Sequence, residues 1–390
     1  MIDHRQLGRE LDLFDSDPLV GAGLPLWLPY GAAARHAVEE HLREAERRAG
    51  YRHVYSPPLG RRELYERSGH WAHFADDMFA PIRDGGEELV LRPSLCPHHA
   101  LVYRSRGRSY RELPLRIAEL GGMYRAERSG VLGGLHRVRA ISLNDAHIFC
   151  APDQLGGEIK AVLDLMWSAH AALGVQVAGI RLSLRGPGKE YAGVPGDWER
   201  AEAVLRDALG DLSYVEGRGE AAFYGPKVDV QIVDPAGRES TLATVQVDFH
   251  QPARFELSYV DSDGQRRRPV MVHRSLVGSM ERLFGHLIEV HAGAFPAWYA
   301  PVQVAVLPVG ADDVAARFAA AVEAAGLRVE LHAEGSLGAR VRDARKVPFV
   351  AVIGAREAAA DAVSVRPRGG GPEELPFAAA VERIRSAAQP

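Results

Sequence analysis

"ISLNDAHIFC", residues 141–150, alternates in a way that fixes the kind of sheet this chain builds. Side chains along a strand point to opposite faces with a period of two. Leu143, Asp145, His147 and Phe149 therefore share one face, and Asn144, Ala146, Ile148 and Cys150 the other. Asp145 and His147 then stand about 7 Å apart along one side. One reading is a core histidine satisfied by a nearby carboxylate, since buried polar groups need partners. The other is a ligand and its neighbour lining a polar pocket.

On both sides of this stretch, strand-like runs follow one another with short turns: "ELVLRP", "GGMYRAE", "GIRLSLR", "KVDVQIVD", "STLATVQVDF" and "FELSYVD". "YRHVYSP" reads as a further strand, broken by Pro57 and Pro58. Helical spacing appears in "AARHAVEEHLREAERRAG", which stops at Gly50, and in "QLGGEIKAVLDLMWSAHAALG" and "WERAEAVLRDALGD". Consecutive strands joined by turns such as "DSDGQ" predict an α+β fold, an antiparallel sheet with helices packed on it. After "FPAWYAP" (295–301), which reads as a linker, strands alternate with helices: "VQVAVLPV", an alanine-rich helix, "LRVELHA", a short helix, "PFVAVIG", "AVSVRP" and a last helix. That pattern predicts a smaller α/β domain with a parallel or mixed sheet. The expected division is 1–298 and 299–390, with "RPRGGGPEE" (366–374) an exposed turn.

Composition narrows the class. The chain has 390 residues, 46% hydrophobic and 25% charged, as in ordinary globular proteins. A net charge of −4 and a pI near 6.5 argue against global attraction to nucleic acid, and DNA is not an expected partner. "RSRGRSYRELPLR" (104–116) is the densest basic segment, and a solvated arginine-rich surface accounts for it equally well. The amino-terminal "MIDHRQLGRELDLF" is charged from its third residue and lacks the apolar core of a secretory signal, and no apolar run is long enough to span a bilayer. Two cysteines cannot make a disulfide framework. A cytoplasmic protein with no membrane partner is expected.

Cys96 in "LRPSLCPHH" and His273 in "PVMVHRSLVGSMERLF" join His147 as candidate ligands. One thiolate and two imidazoles suit zinc with its fourth position open, as in a catalytic or substrate-binding site. By spacing alone, His99, three residues after Cys96, would serve a different site equally well. "YRAERSGVLGGLHRVRA" reads as a hairpin with Arg125 and Glu127 on one strand face, a glycine-rich loop, and Arg137 and Arg139 on the returning strand. Such a hairpin can hold a nucleotide, guanidinium forks on phosphate and a carboxylate on an adenine amino group. "GSMERLFGHLIEV" reads as a helix beginning near Ser279, with Arg282 in its first turns.

These stretches, together with "SGHWAHFADDMF", "RSYRELPLRIAELGG", "FYGPKVD", "TVQVDF" and "HRSLVGSMERLFGHLIE", resemble the threonyl-tRNA synthetases, a family of class II aminoacyl-tRNA synthetases, in order and over nearly the whole chain. The resemblance implies a class II antiparallel-sheet catalytic domain and an α/β anticodon-binding-like domain, usually in a homodimer whose interface includes "GYRHVYSPP". It implies a ligase that activates threonine with ATP and Mg²⁺ and transfers it to tRNA. By the same resemblance Cys96, His147 and His273 hold Zn²⁺ and Asp145 holds the threonine hydroxyl. Arg125 meets the α-phosphate and the substrate carboxylate, Glu127 lies near adenine, Arg282 stacks on it, and Arg137 belongs to the ATP site. Tyr224, Lys227 and Gln246 line the substrate cleft.

The pattern departs at several positions. The family's methionine and asparagine before the cysteine are Ser94 and Leu95 here, a pocket amide is Leu143, and an α-phosphate glutamine is Thr241. In the second domain "AEGSLGARVRDARKVPF" (333–349) replaces the run that reads anticodon bases. The chain also begins at the catalytic domain, so the amino-terminal editing region of many relatives is expected to be missing. With these departures the expected substrate is threonine or a close β-hydroxy or amino analogue. Two alternatives follow: a specialised paralogue passing the activated amino acid to a carrier protein or small molecule, and a catalytically silent module that binds tRNA or an amino acid.

Overall fold

The structure is a computed structural model that describes residues 2–188 and 190–390. It divides into two compact units: Ser16–Pro25 with Leu42–Gly285, and Met1–Asp15 with Leu26–His41 and His286–Pro390. The helices up to residue 290 include α1 (Pro29–Arg48), α2 (Cys96–Arg104), α3 (Leu155–Leu173), α4 (Pro195–Leu209) and α5 (Met280–Val290).

The larger unit is organised by eight strands: β1 (Arg52–His53), β2 (Leu115–Tyr124), β3 (Ala140–Cys150), β4 (Gly179–Leu184), β5 (Val215–Arg218), β6 (Lys227–Val233), β7 (Glu239–Asp248) and β8 (Val270–Ser275). They pair in the order β5-β4-β6-β7-β8-β3-β2-β1. The outermost pairs, β5 with β4 and β2 with β1, are parallel, and every pairing between is antiparallel.

Alternation in the central strands explains why one face is apolar and the other polar. In β6, Val228, Val230 and Ile232 alternate with Lys227, Asp229 and Gln231; in β7, Val245 and Val247 alternate with Thr244, Gln246 and Asp248. The apolar face is covered by α3, whose Ile159, Val162, Leu163 and Met166 are buried and whose His170 Nε2 lies 2.8 Å from the Leu276 carbonyl. The polar face opens on a cavity. An antiparallel sheet with one packed and one solvated face has this pattern.

Three expectations need correction. "YRHVYSP" forms only the two-residue β1, because the chain leaves the sheet before the prolines. The hairpin predicted over 124–140 forms, with β2 antiparallel to β3, but its strands stop short of the arginines: β2 ends at Tyr124, β3 begins at Ala140, and residues 125–139 form the connecting loop with one 3₁₀ turn at Ser129–Val131. Beyond Tyr124 the Arg125 amide to Arg139 carbonyl bond (2.9 Å) continues the ladder, and Gly133 and Arg137 form an isolated antiparallel bridge further along the loop. In the last segment, Glu373–Pro376 is a strand, so the exposed turn is shorter than 366–374.

The smaller unit holds β9 (Val304–Val309), α6 (Asp312–Ala324), β10 (Val329–Leu331), α7 (Leu337–Asp343), β11 (Phe349–Gly354), β12 (Ala362–Pro367), β13 (Glu373–Pro376) and α8 (Phe377–Ala387). Its sheet runs β10-β9-β11-β12-β13, parallel on both sides of β9 and antiparallel beyond β11. Val304 and Val306 pack with Phe318, Val322 and Ile384, whereas Ala305 and Leu307 pack with Ala344 on the opposite face. Burial on both faces explains why "VQVAVLPV" is continuously apolar.

Candidate active site

One cross-strand row defines the cavity floor. Lys227 pairs with Gln246, Gln246 with His273, and His273 with His147, so four polar side chains from β6, β7, β8 and β3 lie abreast on one face. Asp145, one step along β3 on the same face, brings its Oδ2 to 3.8 Å from His147 Nε2. Cys96 reaches the row from the first residue of α2, and Phe149 is buried against that helix through Ala100 and Tyr103. The cavity above measures about 580 Å³ and is also lined by His70, Leu143, Tyr224, Thr241, Arg125, Glu127, Arg137 and Arg282.

Most of the residues selected from the sequence line this one cavity, although they arrive differently; Cys96, buried beside His147 and His273, and Arg139 are not part of its lining. Arg125, Glu127 and Arg137 come from the loop after β2. Glu127 is already engaged, accepting from Arg137 Nε at 3.0 Å. Arg139 donates to the Glu127 carbonyl at 2.9 Å and the Ala22 carbonyl at 3.3 Å, so it braces the loop. Arg282 sits in the first turn of α5, where its amide donates to Ser279 Oγ (3.1 Å) and its guanidinium to the Thr241 carbonyl (3.1 Å). Lys227 bonds Asp229 at 2.7 Å, the Gln246 amide donates to the Gly225 carbonyl at 2.9 Å, and the Tyr224 ring lies 4.9 Å from that of His273.

Cys96, His147 and His273 are buried and offer ligand atoms within 4.8 Å of one another. Their chemistry fits a cation. Glu119 Oε2 accepts from His99 Nε2 (3.1 Å), His99 Nδ1 meets His147 Nδ1 (2.7 Å), His147 Nε2 meets His273 Nδ1 (2.9 Å), and His273 Nε2 meets Asp248 Oδ2 (2.8 Å). A carboxylate accepts only, so each end of this chain takes an N–H from its neighbour. With neutral rings, His147 Nε2 and His273 Nδ1 then both present lone pairs to the same point, an arrangement that a cation satisfies. Burial holds His147 well below the usual imidazole range and raises the Cys96 thiol. Burial also pushes the Asp145 carboxyl up to about 8 and His70 down to about 3.

Three residues of this arrangement escaped the sequence reading, and a fourth, His99, reads there as serving a different site equally well. Glu119 and Asp248 were legible as polar members of apolar alternation, "IAELG" and "TVQVDF". His99 belongs with the trio as its neighbour, behind His147. His70, whose Nε2 lies 3.5 Å from Cys96 Sγ, left no periodic signal of its own.

An antiparallel sheet between helices, a polar row beneath an arginine-flanked cavity and a separate α/β unit define a class II synthetase core. Residues 78–291 match the tRNA synthetase class II core domain (G, H, P, S and T), and residues 303–387 an anticodon binding domain. A threonine–tRNA ligase of a Geobacillus species is 48% identical over 377 residues, 94% of this chain and 58% of that protein. That of Anoxybacillus flavithermus is 47% identical over 393 residues, 98% and 61%. A crystal structure of the RNA binding domain of threonyl-tRNA synthetase from Cryptosporidium parvum superposes with TM-score 0.95 and 32% identity, covering 100% of this chain and 99% of that one. The chain belongs to the threonyl-tRNA synthetase family. It spans about three fifths of the length of the two bacterial relatives, 58% and 61%.

Proposed function

We propose that this chain activates threonine, or a close β-hydroxy or amino analogue, as the aminoacyl-adenylate and transfers it to tRNA. The reading includes a cytoplasmic homodimer, with a catalytic domain over 1–298 and an anticodon-binding-like domain over 299–390. The observation that carries it is Asp145 beside the Cys96–His147–His273 trio, on the floor of a cavity whose other wall holds Arg125 and Arg282. Those three residues would hold Zn²⁺, which when bound supplies a Lewis-acidic site for the amino group and hydroxyl of the amino acid.

The chain's own residues account for the rest. Asp145 would be favoured in its ionised form, against the effect of burial, by a cation held by the adjacent trio, and its carboxylate then accepts from the substrate hydroxyl. A site that must satisfy a hydroxyl rejects valine more strongly than an apolar pocket can, because valine would leave the carboxylate unmet. Tyr224, Lys227 and Gln246 close the pocket side. Arg125 faces the α-phosphate of ATP, whose Mg²⁺ shares the charge, and stabilises negative charge that builds as the amino-acid carboxylate attacks the α-phosphorus and pyrophosphate leaves, while Arg282 stacks on the adenine. Glu127, fixed by Arg137, receives the adenine amino group.

A paralogue using another acceptor has one observation in its favour: Leu143, an apolar side chain, lines the cavity beside Asp145. ATP–pyrophosphate exchange across an amino-acid panel tests the activation step, and threonine is expected to give the fastest exchange. Exchange that ignores the amino acid, or none with any, overturns it. Adenylate formation without charging of any tRNA would transfer support to the paralogue.

A further inference from the structure

We propose that His99 is a positioning residue: it holds the His147 imidazole in the tautomer whose Nε2 lone pair faces Cys96 and His273. This rests on the metal reading above and extends it from the three ligands to a buried relay behind them.

The direction of the relay is set at its far end. Glu119 is 4% exposed, and its oxygens accept from Arg92 (3.0 Å), from Ser56 through Oγ (2.6 Å) and N (3.2 Å), and from His99 Nε2 (3.1 Å). A carboxylate so surrounded by donors is an acceptor alone, so the proton between Glu119 and His99 rests on His99 Nε2. The other nitrogen of a neutral His99 is then a lone pair, and the contact to His147 at 2.7 Å requires the proton to sit on His147 Nδ1. His147 Nε2 is consequently free to coordinate.

His99 is 0% exposed and does not line the cavity, so it meets neither the substrate nor the open side of the trio. Without its acceptor, neutral His147 would also populate the tautomer with its proton on Nε2, aimed into the ligand trio. His273 has its own anchor in Asp248, which also accepts from the His250 and Gln251 amides. Altering His99 therefore leaves Asp248 and its contacts at the start of the His250–Arg254 helix in place.

The test is zinc affinity, measured by competition with a chromogenic chelator, and the absorption spectrum of the Co²⁺ form. His99→Leu should weaken binding about 10–100-fold and alter the Co²⁺ bands. His99→Asn keeps an acceptor near the Nδ1 position and should stay within about threefold of the parent, on the same scale. Equal affinity in the parent and His99→Leu overturns the inference and leaves the metal reading standing. An Asn variant as weak as the Leu variant also overturns it, by reducing His99 to packing. A parent protein that binds no zinc removes the metal reading and this inference with it. Circular dichroism of the metal-free proteins checks folding. Should His99→Leu not fold, Glu119→Gln decides, because its amide lets the relay reverse. About tenfold weaker binding supports the inference and unchanged binding overturns it.

Discussion

Asp145 carries the most specific expectation at the scale of single residues. Asp145→Ala should lower kcat/KM for threonine in pyrophosphate exchange by about 10²-fold or more and leave the slow valine reaction nearly unchanged, since only a hydroxylated substrate uses the carboxylate. Equal losses for both would make Asp145 a structural acid. Arg125→Ala should lower exchange by about 10²–10³-fold with zinc content intact, the size expected when one preorganised donor to developing charge is lost. The ligand-type residues were legible because Asp145 and His147 break an apolar strand at a spacing of two. His70 was not, because one histidine in a short helix looks the same whether or not it faces a cavity.

Among elements, the strands were read well wherever polar and apolar residues alternate, as in β6 and β7. The loop 125–139 was misread because residues just past a strand end keep its pattern without its pairing. Two glycines fix how neighbouring segments meet the floor. A Cβ on Gly225, whose own carbonyl accepts from the Gln246 amide, would lie 1.8 Å from the Val247 carbonyl oxygen. Gly278 has φ +67° and a Cβ there would lie 2.5 Å from the Leu242 oxygen, at the turn that leads into α5. Gly278→Ala should therefore cost on the order of 1–3 kcal/mol, read as a lower denaturant midpoint, and should weaken ATP binding through displaced Arg282. An unchanged midpoint would show that the turn can relax without cost.

For the molecule as a whole, acid stability has identifiable sources. Burial alone would raise Glu119, but His99, Ser56 and Arg92 outweigh it and hold the carboxyl down at about 2. Burial likewise opposes ionisation of Glu46, and the Arg274 guanidinium with His53 and Asn144 keeps it below the usual range. Folded values below the unfolded value of about 4.5 mean stability that is fully present above that pH and lost as pH falls toward 2. The thermal midpoint should drop steeply in that window, and Glu119→Gln should start lower at pH 7 and flatten the drop. A parallel pair of curves would place the acid sensitivity elsewhere. In the smaller unit, α7 is capped by Ser336, and Arg340 is buried on the Pro308 (2.7 Å) and His332 (2.8 Å) carbonyls. With that cation spent internally, exchanging the anticodon of threonine tRNA should change charging by less than about threefold, below the roughly 1–3 kcal/mol lost with a base-specific contact. A steep loss would show that this segment does read the anticodon.

The cross-strand row has a consequence for how the chain assembles. His147 and His273 lie 126 positions apart along the chain and meet only when β3 and β8 are zipped together. Closing so long a loop carries an entropic penalty that local helix formation does not recover, so the nest of ligands is among the late products of folding. A fragment ending before β8 has no such nest, whatever secondary structure it forms. Cobalt colour developing during refolding would therefore serve as a clock for the moment the central sheet closes.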